Sequence, residues 1–127
     1  MILSFKQLWI LWVMRQCIQE HGHFQWSDLY KENSFGKRYI AEQNMPEYLL
    51  NLIQNQPTQV TKNKLLEYGL IEWPRDRKPP ILTAKGYALL EELDSLVPEG
   101  KPWWQYYPTL YREKSQSTYY WRRMNND

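Results

Sequence analysis

Apolar residues at Phe5, Leu8, Trp9, Trp12, Val13 and Cys17, with Ile18 beyond them, recur every three or four positions. This spacing predicts a first helix over residues 3–20, with Ser4 as its N-cap. Ile10, Leu11 and Met14 widen the stripe until the helix is apolar on most sides. Such a helix must be covered on most sides, either at the centre of its own domain or by a second subunit. Gly22 ends it. After that, His23-Phe24-Gln25-Trp26 suit a short strand able to pair with a later hairpin, and Ser27 caps a short helix from Asp28 to about Glu32. Asn33 to Gly36 break the pattern, and Lys37 to Gln43 read as helical. Asn44 and Pro46, the latter at N1, open an amphipathic helix carrying Met45, Leu49, Leu52 and Ile53 that ends before Pro57.

The second half of the chain is more specific. Thr58 to Tyr68 form a polar helix closed by Gly69, where a left-handed conformation costs least. Leu70, Ile71 and Trp73 are strand formers, Pro74, Asp76, Pro79 and Pro80 interrupt them, and Ile81 and Leu82 resume a strand. The result is a hairpin with a basic tip of Arg75, Arg77 and Lys78. Thr83 is placed to N-cap a last helix whose apolar positions include Ala84, Tyr87, Ala88, Leu90 and Leu93.

This order, with Gly69-Leu70-Ile71 and Leu82-Thr83-Ala84-Lys85-Gly86 at its joints, resembles the second half of a winged helix-turn-helix domain of the MarR-like and PadR-like kind. The resemblance is confined to residues 65–96. It implies an α+β winged-helix domain over residues 1–97 and a dimeric transcriptional regulator that binds duplex DNA. Winged helices also serve as protein-interaction modules, so the fold alone does not fix the function. The chain departs from the family's pattern in one place. Apolar residues usually stand one and two turns before Leu65, but Thr61 and Lys62 hold those places and only Val60 is apolar. Either this helix is short and lies on the surface with its polar side chains outward, or the usual reading head has been lost.

Composition narrows the picture a little. A chain of 127 residues with 43% hydrophobic and 16% aromatic residues is long and apolar enough for one folded domain. The net charge of +2 is small, but six basic and three acidic residues fall within 55–90, against five and five in 1–54 and five and six in 91–127. The excess lies on the polar helix and hairpin, where a phosphate-facing surface needs it. Cys17 stands alone, which excludes an intrachain disulfide and fits a reducing compartment. The uncharged run from Leu8 to Met14 is bracketed by Lys6 and Arg15 and falls far short of the roughly 20 apolar residues of a membrane span. A cytoplasmic protein without a membrane association is the expectation.

Val97 to Pro102 read as a linker, and residues 98–127 as an aromatic-rich extension. Trp103, Trp104, Tyr106, Tyr107, Tyr111, Tyr119, Tyr120 and Trp121 crowd into it. Aromatic rings bury large areas while keeping polar tips, which suits packing on the first helix, dimerisation together with that helix, docking on a protein partner, or stacking on single-stranded nucleic acid.

Candidate DNA contacts are Gln59, Thr61, Lys62, Asn63, Lys64, Arg75, Arg77 and Lys78, with Thr58 at the helix start. Amides and hydroxyls on a recognition helix reach base edges, lysines neutralise phosphate, and a wing arginine suits the minor groove. Lys37 and Arg38 are either flanking phosphate contacts or an ordinary solvated face. Cys17, His21 and His23 have ligand chemistry, but no second cluster accompanies them and no metal or other cofactor is expected. No Gly-rich phosphate loop, H-E-x-x-H, G-x-S-x-G or C-x-x-C occurs, so an enzyme is not expected. The competing class is a winged-helix adaptor or inhibitor of phage or mobile-element type, engaging a protein through the aromatic extension.

Overall fold

The computed structural model describes residues 3–74 and 78–105. In chain order these form α1 (Phe5–His21), a 3-10 turn (Trp26–Leu29), α2 (Phe35–Glu42), α3 (Glu47–Ile53), α4 (Gln59–Glu67), β1 (Ile71–Glu72), β2 (Ile81–Leu82), α5 (Ala84–Leu96) and a second 3-10 turn (Trp103–Gln105). The architecture is α+β, mostly helical, with one small antiparallel sheet.

α1 is the centre of it. Ser4 accepts from the Gln7 backbone N–H at 3.1 Å, and the Gln7 side chain accepts from the Ser4 N–H at 2.8 Å, a reciprocal capping box. At the other end Gly22 takes φ 84° and its N–H reaches the Ile18 carbonyl at 2.9 Å. Between these caps Phe5 and every residue from Leu8 to Met14 are buried, as is Cys17. The stretch from Leu8 to Met14 is covered on all sides because α2, α3, α5, β2 and the first 3-10 turn each pack on the helix. Its breadth of apolar surface is therefore used within the chain itself.

The segment before α2 differs from the strand its residues suggested. Residues 23–25 are irregular, and the Asp28 carboxylate accepts from the Gln25 N–H at 2.8 Å, which curls the chain into the Trp26–Leu29 turn. Trp26 reaches the hairpin through its ring instead of its backbone, meeting Trp73 edge to face at 5.3 Å. The helix expected from Asp28 shrinks to this turn. Asn33, at φ 64°, makes the reversal, and Ser34 caps α2. Gly36, expected as a breaker, lies inside α2, where it lets the helix touch the preceding turn: a Cβ there would lie 2.7 Å from the Leu29 carbonyl oxygen. Pro46 is the N-cap of α3, one position before its expected place.

The hairpin and its flanking helices interlock through the Gly-Leu-Ile and Leu-Thr-Ala-Lys-Gly segments. β1 and β2 pair Ile71 with Leu82 and Glu72 with Ile81. Gly69 adopts φ 70° after α4, and the Leu70 N–H returns to the Leu65 carbonyl at 3.1 Å. The Thr83 hydroxyl donates to the Gly69 carbonyl at 2.6 Å and accepts from the Gly86 N–H at 3.1 Å, so one side chain caps α5 and ties it to the end of α4. Lys85 donates to the Tyr68 carbonyl at 2.8 Å, satisfying a helix-end acceptor. Gly86 lets α5 cross against the hairpin, for a Cβ would meet the Leu70 carbonyl oxygen at 2.4 Å.

α5 then buries Leu89, Leu90 and Leu93 and is clamped to α1 by a bidentate Arg15–Asp94 pair at 2.7 and 3.1 Å. Beyond α5 a turn at Gly100 brings the chain back to α1. Trp103 stacks on Phe5 at 5.2 Å between ring centroids and stands 6.0 Å from Trp12. The Trp104 indole donates to the Gln43 side chain at 3.3 Å. Both rings are buried, at 4% and 5% exposure, and belong to the same core as α1. Among the described residues no helix is long and apolar enough to cross a membrane.

Candidate nucleic-acid interface

α4 is the element that carries the candidate contacts, and its placement follows from its one inward anchor. Leu65 is fully buried, while Thr58, Gln59, Val60, Asn63, Lys64, Leu66 and Glu67 are exposed. Thr61 and Lys62 are half-buried. A helix held by one leucine and by the turn into β1 presents most of its surface to solvent. The start is fixed by its cap: Thr58 accepts from the Thr61 N–H at 3.2 Å, and the two hydroxyls are 3.1 Å apart. On the outward side the Gln59 amide donates to the Asn63 side-chain oxygen at 3.0 Å, one helical turn away.

The expected outward set therefore divides. Gln59 and Asn63 share the exposed face and hold each other. Lys64 is exposed but lies 3.3 Å from the Glu67 carboxylate, a surface pair that costs little to open. Lys62 turns the other way. Its ammonium sits 4.7 Å from the centre of the Trp26 ring and 5.4 Å from that of Trp73, and burial lowers its pKa. The two indoles meet edge to face between the turn and the hairpin and form the platform on which this lysine rests. Neither ring was legible as a partner of Lys62. Trp26 lies 36 residues before Lys62 and Trp73 lies 11 after it, and an aromatic–cation contact at either separation leaves no periodic signal.

Beside the platform runs a cleft of about 390 Å³, lined by Gln25, Trp26, Ser27, Trp73, Lys78 and the ring pair Pro79 and Pro80. Lys78 is exposed at its edge. Arg75 and Arg77 lie outside the described residues, as do Tyr106, Tyr107, Tyr111, Tyr119, Tyr120 and Trp121. Trp103 and Trp104, the other two members of the aromatic set, are in the core against α1 and α2. Lys37 donates to the Gln54 carbonyl at 3.5 Å, and Arg38 is exposed on α2.

Cys17 is fully buried on α1, while His21 and His23 are exposed beyond it. Among the described residues no three His, Cys, Asp or Glu side chains are grouped so as to hold a metal ion. Comparison of the chain with family models, curated proteins and solved structures gives no match.

Proposed function

We propose that this chain is a small winged-helix protein that binds duplex DNA as a transcriptional regulator, with α4 as the recognition helix and the β1–β2 hairpin as the wing. The observation that carries the reading is the outward face of α4. Two amide side chains, held in a fixed relation, stand on the first turns of a helix that is capped at its start and tied at its end by Thr83 and Lys85. Amides in that position suit the donor and acceptor edge of adenine in the major groove. Lys64 and Lys78, together with Arg75 and Arg77, supply the cations for phosphate. A dimer in the cytoplasm belongs to this reading.

A protein-interaction adaptor is the second reading, and one observation favours it: both lysines of α4 are engaged, Lys62 on two indoles and Lys64 with Glu67. A titration with mixed-sequence duplex at low and moderate salt, with light scattering alongside, separates the two. Binding that weakens steeply with salt is the outcome expected of the regulator. Absence of binding at low salt would overturn it in favour of the adaptor.

A further inference from the structure

Val60 is the most exposed large apolar side chain among the described residues, at 70%, against 45% for Ile81 and 36% for Leu66. No packing among the described residues calls for it. It lies on the second residue of α4, between Gln59 and Thr61, while the inner face of the helix is filled by Leu65. A β-branched residue lowers helix propensity, and an isopropyl group left in water contributes no burial. Its neighbours are polar: Gln59 beside it, Asn63 one turn on, and Lys64 four residues on.

We propose that Val60 is a specificity-determining residue that reads the 5-methyl group of thymine in the major groove, so that the preferred sites contain A·T pairs under the first turn of α4. This rests on the duplex-DNA reading above. The chemistry is complementary on both bases of the pair. Adenine offers an acceptor and a donor to an amide, and its thymine offers a methyl group in the same groove. A Gln59–Asn63 amide pair with an isopropyl group next to it matches that edge; cytosine, with an amino group and no methyl, matches it poorly. Leu66 is less suited to the same task. It is about half as exposed as Val60 and lies in the last turn of α4 instead of the first.

The test uses duplexes enriched from a random pool by the full chain, then synthesised in parallel with thymine or with uracil, which lacks only the methyl group. Wild type should bind the thymine form about four-fold more tightly for each methyl contacted. Val60→Ser, a surface change checked for folding by circular dichroism, should lose most of that preference. Equal binding of the two forms by wild type, with salt-sensitive binding retained, would overturn the role of Val60 and leave the DNA reading standing. A Val60→Ser protein that favours thymine as strongly as wild type would overturn it as well. No duplex binding at low salt would overturn both.

Discussion

The Lys62 ammonium lies 4.7 Å from the centre of the Trp26 ring, on the inner side of the helix whose outer side carries Gln59 and Asn63. A cation over an indole face contributes about 0.5–2 kcal/mol, depending on how far it is desolvated. Burial lowers the Lys62 pKa and so opposes the attraction of the indoles, and Lys62→Met, which keeps the apolar stem and removes the charge, should change stability in urea by less than about 1 kcal/mol. In a duplex titration the same variant should leave the dependence of log K on log salt unchanged. A lysine in contact with phosphate would instead reduce that slope by about one when removed. Lys64→Met is the control expected to show that reduction.

Trp103 closes the core from the C-terminal side. Its ring stacks on Phe5 and stands beside Trp12, and it is 4% exposed. Truncating a buried indole removes a large apolar area and leaves a cavity, so Trp103→Ala should cost about 3–5 kcal/mol in chemical denaturation. A chain ended at residue 101 should be destabilised at least as much. A chain ended at 105 keeps both indoles, and any loss it shows in subunit count or partner capture would then belong to residues 106–127.

Gly86 is required by contact, not by backbone angle. Alanine normally stabilises a helix position relative to glycine by about 1 kcal/mol. Here the added Cβ would lie 2.4 Å from the Leu70 carbonyl oxygen and 3.1 Å from a Leu82 methyl carbon, and the first of these is backbone that cannot move without opening the hairpin. Gly86→Ala should therefore be destabilising by about 1–3 kcal/mol, reversing the usual sign. Thermal unfolding of the variant beside Ala88→Gly, at an exposed position of the same helix, checks both directions.

Where the chain's local chemistry determines structure, the sequence was readable. Ser4, Gly22, Gly69 and Thr83 are caps or stops at the places their residue types suggest, because a cap needs only its own neighbouring backbone. The unusual breadth of apolar positions on α1 correctly pointed to a helix that must be enclosed. What escaped reading depends on distant partners. Gly36 looks like a breaker until Leu29 is seen against it. Residues 23–26 have strand composition, yet Asp28 takes the Gln25 N–H and Trp26 meets the hairpin by its ring. The linker after Val97 looked like a boundary, and its turn at Gly100 does fold the chain back, but only the core shows that Trp103 and Trp104 return to α1 and α2. Lys62 faces outward in one of the two readings of this helix, and Trp26, 36 residues before it, with Trp73, 11 after it, draws it aside.

Cys17 makes a prediction about alkaline stability. Its thiol is fully buried on α1, and burial, reinforced by the negative charges of Asp28 and Glu20, pushes its pKa up to about 12. In the unfolded chain a thiol ionises near its ordinary value of about 8.5. Below that value Cys17 is protonated in both states and has no effect on the pH dependence. Above it the unfolded state loses a proton that the folded state keeps, so unfolding becomes easier as pH rises, by up to about 1.4 kcal/mol per pH unit until the folded thiol also ionises. Wild type should thus lose stability between about pH 9 and 11 more steeply than Cys17→Ala, the comparison cancelling the lysines and tyrosines that titrate in the same range. Urea melts of the two proteins at pH 7, 9 and 10.5 measure the difference. At pH 8 the folded thiol should also resist iodoacetamide and react only on addition of denaturant, since the nucleophile is the thiolate. Rapid labelling of the native protein would mean that Cys17 is reached by solvent and that α1 is less enclosed than its neighbours make it.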